Sequence, residues 1–135
     1  MKAFTVYQPY AFAIVAGLKH YETRPRRTNI RGRVAVHAGK LDMIQVTKRI
    51  SDRTLWDLME AVSGKTELPR GAVVGTVEIV DCVPVENIMD SLDERELLLG
   101  DYSPGRFAWI LKNPAMFDTP ISACGQQGWW EWPFV

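Results

Sequence analysis

The chain has 135 residues, of which 47% are hydrophobic and 24% are charged, and these proportions exclude a disordered chain, a collagen-like repeat and a coiled coil. No apolar run approaches the roughly 20 residues that a membrane helix needs. The segment after Met1 has none of the features of a signal peptide. We therefore expect a cytoplasmic protein without a membrane partner, formed by a single domain over residues 1–135.

Sixteen basic and sixteen acidic residues give a formal net charge of zero, but the two signs are unevenly distributed. Residues 1–50 contain ten basic and two acidic residues, a net charge of +8. Residues 51–135 contain six basic and fourteen acidic residues, a net charge of −8. Such asymmetry indicates a basic ligand-binding face and an acidic, solvated remainder, so the overall zero does not exclude a polyanionic partner.

The first half of the chain predicts short strands around one short helix. Pro9 suits the first turn of that helix, and Gly17 suits its end. In chain order we expect a strand, this helix, two further strands and a helix over residues 3–7, 10–16, 20–24, 32–38 and 42–50. Apolar residues at helical spacing predict a third helix that ends before Gly64.

The second half predicts long strands and one acidic helix. A valine-rich strand is expected over 72–83, and the sequence SLDE at 91–94 fits a capping box for a helix that ends at Gly100. A strand over 106–111 and a turn at 113–114 follow, and then two short extended pieces around Phe117 and at 128–132. Strands joined by irregular loops favour an α+β fold with a small closed or half-closed barrel and peripheral helices.

The densest cluster of polar residues lies at positions 19–33, which contain six basic residues and one acid. On an extended segment His20, Glu22 and Arg24 share one face, and Tyr21 and Thr23 share the other. Guanidinium groups suit phosphate oxygens, and a lone carboxylate among cations keeps its charge and suits a positioning role. The alternative is a Glu22–Arg24 pair on a solvated strand.

Further candidates lie outside this cluster. His37 ends a predicted strand and either contacts phosphate, acts as a base or is a hydrogen-bonded histidine at the barrel rim. The predicted turn from Tyr102 to Arg106 either brings a second arginine and an aromatic ring to the ligand or is a plain loop. The predicted acidic helix includes Glu94 and Glu96, which we expect to face solvent.

The tryptophans have a structural and a functional interpretation, and the cysteines have a structural one. Trp129, Trp130 and Trp132 either form an aromatic strand that closes the barrel or stack on nucleobases. Cys82 and Cys124 are far apart and form no CxxC pair, so we expect two reduced, buried apolar residues. The spacing of ligand-type residues predicts no metal site and no cofactor.

Several motifs in order along the chain resemble the ASCH (activating signal cointegrator homology) family. They are QPYA at 8–11, GxKxxExR at 17–24, RGxxxxHAGK at 31–40, LPxGxxxG at 68–75, FAW at 107–109, KNP at 112–114 and PI at 120–121, followed by the closing segment 125–130. The resemblance implies a PUA-like fold, a small mixed β-barrel of about five or six strands with peripheral helices. It also implies RNA or a related ligand in a cleft beside the barrel.

The resemblance implies two further activities. Some small bacterial members are amidohydrolases that remove the acetyl group of N4-acetylcytidine, and their lysine matches Lys19. Their nucleophilic threonine corresponds to Glu22 in this chain, and Thr23 is its neighbour. Metal-dependent ribonuclease activity is a second association of the family, for which this sequence offers no clustered ligands.

From the charges and the resemblance together we expect a domain of bacterial or phage type that binds RNA or a nucleotide. The expected ligand-binding residues are Gln8, Lys19, Glu22, Arg24, Arg26, Arg31, His37, Tyr102 and Arg106. Arg33 is a further candidate for a phosphate contact. The first alternative is a hydrolase in which Lys19 is the base and Glu22 positions water. The second is a protein-interaction module of cointegrator type that uses the tryptophans, with an unknown protein partner.

Overall fold

The structure, a computed structural model, describes residues 1–42, 64 and 68–134. Their elements are β1 (Lys2–Gln8), α1 (Tyr10–Val15), β2 (Tyr21–Arg24), β3 (Gly32–Asp42), β4 (Ala72–Pro84), two 3-10 turns (Val85–Asn87 and Met89–Ser91), α2 (Glu94–Leu98), β5 (Phe107–Ser122) and β6 (Trp130–Glu131). The helices predicted over 42–50 and before Gly64 lie outside the described residues. Within the described ranges, no helix has the length and apolar character to cross a membrane.

The six strands form one mixed sheet in the order β2-β5-β4-β3-β1-β6. Strand β1 runs parallel to β3, and the other neighbouring pairs are antiparallel. The order leaves β2 and β6 as the two ends, so the sheet is not closed. The α+β class expected from the sequence is confirmed, with an open, barrel-like sheet.

Strand β5 is far longer than the sequence predicted, because the expected turn at Asn113 and Pro114 is wrong. These two residues lie inside β5, where the register against β4 shifts between the pairs Thr76–Ala115 and Glu78–Lys112. Asn113 has a φ of +50°, a left-handed conformation that asparagine tolerates better than most residues. Proline has no amide hydrogen to donate and fits such a bulge. Asn113 and Pro114 therefore interrupt the hydrogen-bond ladder between β4 and β5 but do not end β5.

The predicted capping box at Ser91 and Glu94 is also wrong. Ser91 belongs to a 3-10 turn, and the N-cap of α2 is Asp93, whose carboxylate accepts a hydrogen bond from the Glu96 amide at 2.8 Å. After α2, Leu99 is buried in one apolar cluster with Phe12 and Ala13 of α1. This cluster holds the segment after α2 against α1.

The core lies between α1 and the sheet, and the C-terminal tryptophans contribute to it. Trp130 and Trp132 are buried, and Trp129 stacks on Trp109 with ring centroids 5.1 Å apart. Phe4 meets both of the stacked rings edge-on. An exposed tryptophan patch, which the protein-interaction alternative required, is therefore absent from this end of the chain.

Candidate functional site

An open cleft runs beside the sheet, between the ends of β1 and β2 on one side and the segment after α2 on the other. The described residues that line it carry five cationic side chains, those of Lys19, Arg24, Arg26, Lys40 and Arg106. They carry two carboxylates, those of Glu22 and Asp101. The cluster at positions 19–33 contributes most of these charges because the turn at Gly17, with a φ of +79°, leads directly from α1 to the cleft.

Lys19 is buried in the cleft wall, with 3% of its surface exposed. Its Nζ donates a hydrogen bond to the carbonyl of Leu99, lies 3.8 Å from Glu22 Oε1 and lies 5.7 Å from the centre of the Tyr10 ring. Burial lowers the pKa of Lys19, and the negative charges of Glu22 and Glu96 offset part of that effect. A desolvated lysine of this kind costs stability and is typical of functional sites.

Glu22 shares its carboxylate between the lysine and Arg24. Its Oε2 accepts a hydrogen bond from Arg24 Nε at 2.9 Å and lies 2.8 Å from Arg24 Nη2. Arg24 also donates to the carbonyl of Thr5, and its guanidinium lies 5.3 Å from the centre of the Trp109 ring. Arg24 is therefore largely committed to Glu22 and the core, which leaves few donors for a phosphate.

Glu96 is a buried member of this network that sequence reasoning missed, and the solvated face predicted for it is wrong. It is 3% exposed, and its two carboxylate oxygens accept the His20 amide hydrogen at 2.9 and 3.0 Å. Oε2 lies 3.2 Å from His20 Nδ1. The spacing of Asp93 and Glu96, an N-cap residue followed three positions later by glutamate, was the available signal for its place in the first turn.

His37 is buried and fully hydrogen-bonded. The indole of Trp130 can only donate, so Thr5 Oγ1 accepts from it at 3.2 Å and donates its own hydrogen to His37 Nδ1 at 3.1 Å. Nε2 then carries the ring hydrogen and donates to the carbonyl of Ala123 at 2.7 Å. Burial lowers the pKa of His37, although the bond to Ala123 opposes this effect. The histidine touches the cleft as a neutral, structurally satisfied group.

Three of the expected ligand-binding residues, Gln8, Arg31 and Tyr102, do not line the cleft. Gln8 is buried, donates to the carbonyl of Pro69 at 2.8 Å and accepts from the Phe12 amide at 2.9 Å, so its amide joins α1 to the chain beyond β3. Arg31 donates to backbone carbonyls of its own loop and lies 3.7 Å from Asp81. Gln8 and Arg31 therefore lie outside the described lining of the cleft.

Arg33, a further candidate for a phosphate contact, is also absent from the cleft lining. It bonds Thr76 at 2.8 Å and Glu78 at 3.2 Å. Its position on β3 places it against β4.

The two ends of the turn between Tyr102 and Arg106 have different positions relative to the cleft. Arg106 lines the cleft and donates to the Thr23 carbonyl at 2.9 Å and to the Asp101 carbonyl at 3.1 Å. Tyr102 is not among the lining residues, and its ring lies against Gly100. Its hydroxyl is buried without a hydrogen-bond partner in the described part of the chain, and burial raises its pKa.

The structure thus brings Lys19, Glu22, Arg24, Arg26, His37 and Arg106 together along one cleft. Within residues 1–42, 64 and 68–134, no group of three or more histidine, cysteine, aspartate or glutamate side chains could hold a metal ion. The expectation for the cysteines is half wrong, since Cys82 is buried but Cys124 is exposed on the cleft wall.

An open six-stranded mixed sheet with short helices and a side cleft is consistent with a PUA-like half-barrel domain. The chain belongs to the ASCH domain family, whose model matches residues 4–121. Mouse (Mus musculus) Activating signal cointegrator 1 is 26% identical over 111 residues, which is 82% of this chain and 18% of that protein. The chain therefore spans less than a fifth of the length of this curated relative.

Solved structures share the fold. The crystal structure of ASCH from Zymomonas mobilis has a TM-score of 0.54 and 17% identity, and the match covers 90% of this chain and 72% of that one. A point mutant of the Zymomonas mobilis protein also gives a TM-score of 0.54, with 19% identity over 90% of this chain and 74% of the other. The PUA-like fold expected from the sequence is confirmed.

Proposed function

We propose that this ASCH domain binds RNA or a nucleotide in the cleft and works in the cytoplasm. The observation that carries the proposal is the excess of cationic over carboxylate side chains among the described lining residues, five against two. Phosphate groups are recognised by such clusters, and the resulting attraction does not depend on base sequence.

The cations of the cleft differ in whether they form hydrogen bonds or ion pairs with other residues of the protein. Arg24 is bound to Glu22, and Arg106 is bound to the Thr23 carbonyl and to Asp101. Arg26 and Lys40 are exposed, and neither has a hydrogen bond or ion pair with another residue in the described part of the chain. These two side chains are therefore the first phosphate contacts in the proposal.

The test is a titration of a fluorescein-labelled 12-nucleotide RNA, followed by fluorescence anisotropy at low salt. The double variant Arg26→Ala and Lys40→Ala removes the two cations that have no partner among the described residues. The double variant Arg33→Ala and Lys112→Ala removes the same charge from exposed positions that do not line the cleft. We expect at least a tenfold weaker Kd for the first pair and less than a twofold change for the second. Equal effects of the two pairs, or no RNA binding by the wild type, would overturn the proposal.

A second candidate is a hydrolase that acts on N4-acetylcytidine or a related acylated nucleoside. Burial lowers the pKa of Lys19, which lines the cleft beside Glu22, and a desolvated lysine next to a carboxylate can take a proton from water. The water would attack the amide carbonyl to release acetate and cytidine. Incubation of the wild type and the Lys19→Ala variant with N4-acetylcytidine decides this, and the absence of Lys19-dependent cytidine release excludes that substrate.

The protein-interaction alternative depended on the C-terminal tryptophans as an exposed apolar patch. It required exposed tryptophans, and Trp130 and Trp132 are buried. The name of the mouse relative refers to a protein of which this chain matches only 18%. We therefore favour the nucleic-acid proposal over this one.

A further inference from the structure

The turn that follows α2 covers the ammonium group of Lys19. Lys19 borders the cleft but is almost fully buried, and its Nζ donates to the Leu99 carbonyl. A β-carbon at Gly100 would lie 3.2 Å from Lys19 Nζ and 2.9 Å from Tyr102 Cε2. The ammonium group and the tyrosine ring therefore meet on the same side of the Gly100 backbone, in the space that a side chain at this position would occupy.

Tyr102 holds this position with an unsatisfied hydroxyl group. The hydroxyl is buried and has no hydrogen-bond partner in the described part of the chain. A buried polar group without a partner costs stability, whereas the same group in water is hydrogen-bonded. When the turn moves away from the protein, the hydroxyl gains hydrogen bonds to water, and this gain offsets part of the contacts that the ring loses.

The remainder of the turn buries little surface. Residues 101 and 103–105 are exposed. Two side chains attach the turn to its neighbours: Glu86 Oε1 accepts from the Gly105 amide at 2.9 Å, and Arg106 donates to the Thr23 carbonyl at 2.9 Å. Segments with few buried apolar contacts and exposed hydrogen bonds open at low free energy. The turn is therefore less firmly held than the elements on either side of it.

We propose that residues 100–106 form a lid that opens and closes over Lys19, so that a ligand in the cleft reaches the ammonium group only when Tyr102 has moved away. Leu99, directly before the lid, stays in place because it is buried in the apolar cluster with α1. The inference goes beyond the proposed function, since it assigns a motion to the protein itself and holds for any ligand of the cleft.

The test measures how fast Lys19 reacts with sulfosuccinimidyl acetate in the folded protein, by mass spectrometry of its peptides. Lys112 is exposed and serves as the reference for an accessible amine. The buried thiol of Cys82 reports global unfolding through its reaction with N-ethylmaleimide in the same sample. We expect Lys19 to react at least about tenfold more slowly than Lys112. Its rate should stay constant in urea below the unfolding transition, because a local opening exposes little surface, whereas the Cys82 rate should rise.

Two variants of Tyr102 separate the ring from the hydroxyl. Tyr102→Ala removes the cover, so Lys19 is expected to react at least about fivefold faster than in the wild type. Tyr102→Phe keeps the ring and removes the unsatisfied hydroxyl, so Lys19 is expected to react no faster than in the wild type. Tyr7→Ala removes another aromatic ring of the cleft lining and is the matched control, with an expected change in the Lys19 rate of less than about twofold.

Variants of Glu86 test the motion without changing the ring, and they remain informative if Tyr102→Ala does not fold. Glu86→Ala removes the acceptor of the Gly105 amide and is expected to raise the Lys19 rate at least about threefold. Glu86→Gln keeps an acceptor oxygen and is expected to leave the rate within about twofold of the wild type. Equal rates in the two Glu86 variants would contradict the attachment of the lid at this residue.

Three results would overturn the lid. A wild-type Lys19 that reacts as fast as Lys112 would show that nothing covers it. A Lys19 rate that rises with urea in parallel with that of Cys82 would show that only global unfolding exposes it. Equal Lys19 rates in the Tyr102→Ala and Tyr7→Ala variants would place the cover elsewhere. A failure of RNA to bind would overturn the proposed function and leave these rates unchanged, so the two proposals fail separately.

Discussion

The buried carboxylate of Glu96 gives a sharp test of how the cleft is built. Its two oxygens receive the His20 amide hydrogen, at 2.9 and 3.0 Å, and thereby attach α2 to the residues that precede β2. A hydrogen bond to a charged acceptor contributes about 1.5–3 kcal/mol, and removal of the acceptor leaves the amide without its partner. Glu96→Ala is therefore expected to lower the free energy of unfolding by about 2–3 kcal/mol.

The matched control is Glu94→Ala, two positions earlier on the same helix. Glu94 is exposed, and substitutions at such positions usually change stability by less than about 0.5 kcal/mol. Urea denaturation followed by circular dichroism measures both variants under identical conditions. Glu96→Gln keeps an acceptor oxygen and is expected to fall between them. If Glu96→Ala and Glu94→Ala have the same free energy of unfolding, the carboxylate does not hold α2, and the reasoning is refuted.

Three further predictions concern the fold around the cleft. The lowered pKa of His37 means that the unfolded chain binds a proton that the folded protein does not, so stability is complete above the unfolded value of 6.5 and falls as the pH drops below it. Urea titrations of His37→Gln between pH 7.5 and 5 should show a smaller loss than the wild type, and an equal loss would contradict this origin. A β-carbon at Gly75 would lie 2.2 Å from the Ala115 carbonyl oxygen, so Gly75→Ala is expected to cost about 1–3 kcal/mol, whereas an unchanged urea midpoint would argue against this close approach. Trp132→Ala is expected to cost about 3–5 kcal/mol because the ring is buried, and a calorimetric melting temperature equal to that of the wild type would show that it is not.

The features predicted from the sequence are those that depend on neighbouring residues. The strands β1, β3 and β4 follow from their alternating or valine-rich composition, and the motif GxKxxExR placed Lys19 and Glu22 within three residues of each other. The family resemblance was confirmed by the ASCH match over residues 4–121. Local pattern was sufficient for these features because the interacting groups are close in sequence.

The features that were missed depend on contacts between distant residues. The His20 amide and Glu96 are 76 positions apart, so their bond could not be read from an acidic helix that appeared solvated. Strand β5 continues through Asn113 and Pro114 because β4 offers a partner on both sides of the bulge. Arg31 and Arg33 appeared equivalent to Arg26 in a basic stretch, but Arg31 lies near Asp81 and Arg33 is paired with Glu78, and both of these carboxylates belong to β4.

The central claim, that cations of the cleft bind phosphates, is tested most directly by the salt dependence of RNA binding. Each phosphate contact on a single strand contributes about 0.7 to the slope of log affinity against log salt concentration. We predict that the variant with Arg26→Ala and Lys40→Ala has a slope smaller than the wild type by about 1.4, and that the variant with Arg33→Ala and Lys112→Ala keeps the wild-type slope. A wild-type affinity that does not change between 50 and 200 mM salt, or equal slopes in all three proteins, would contradict the claim.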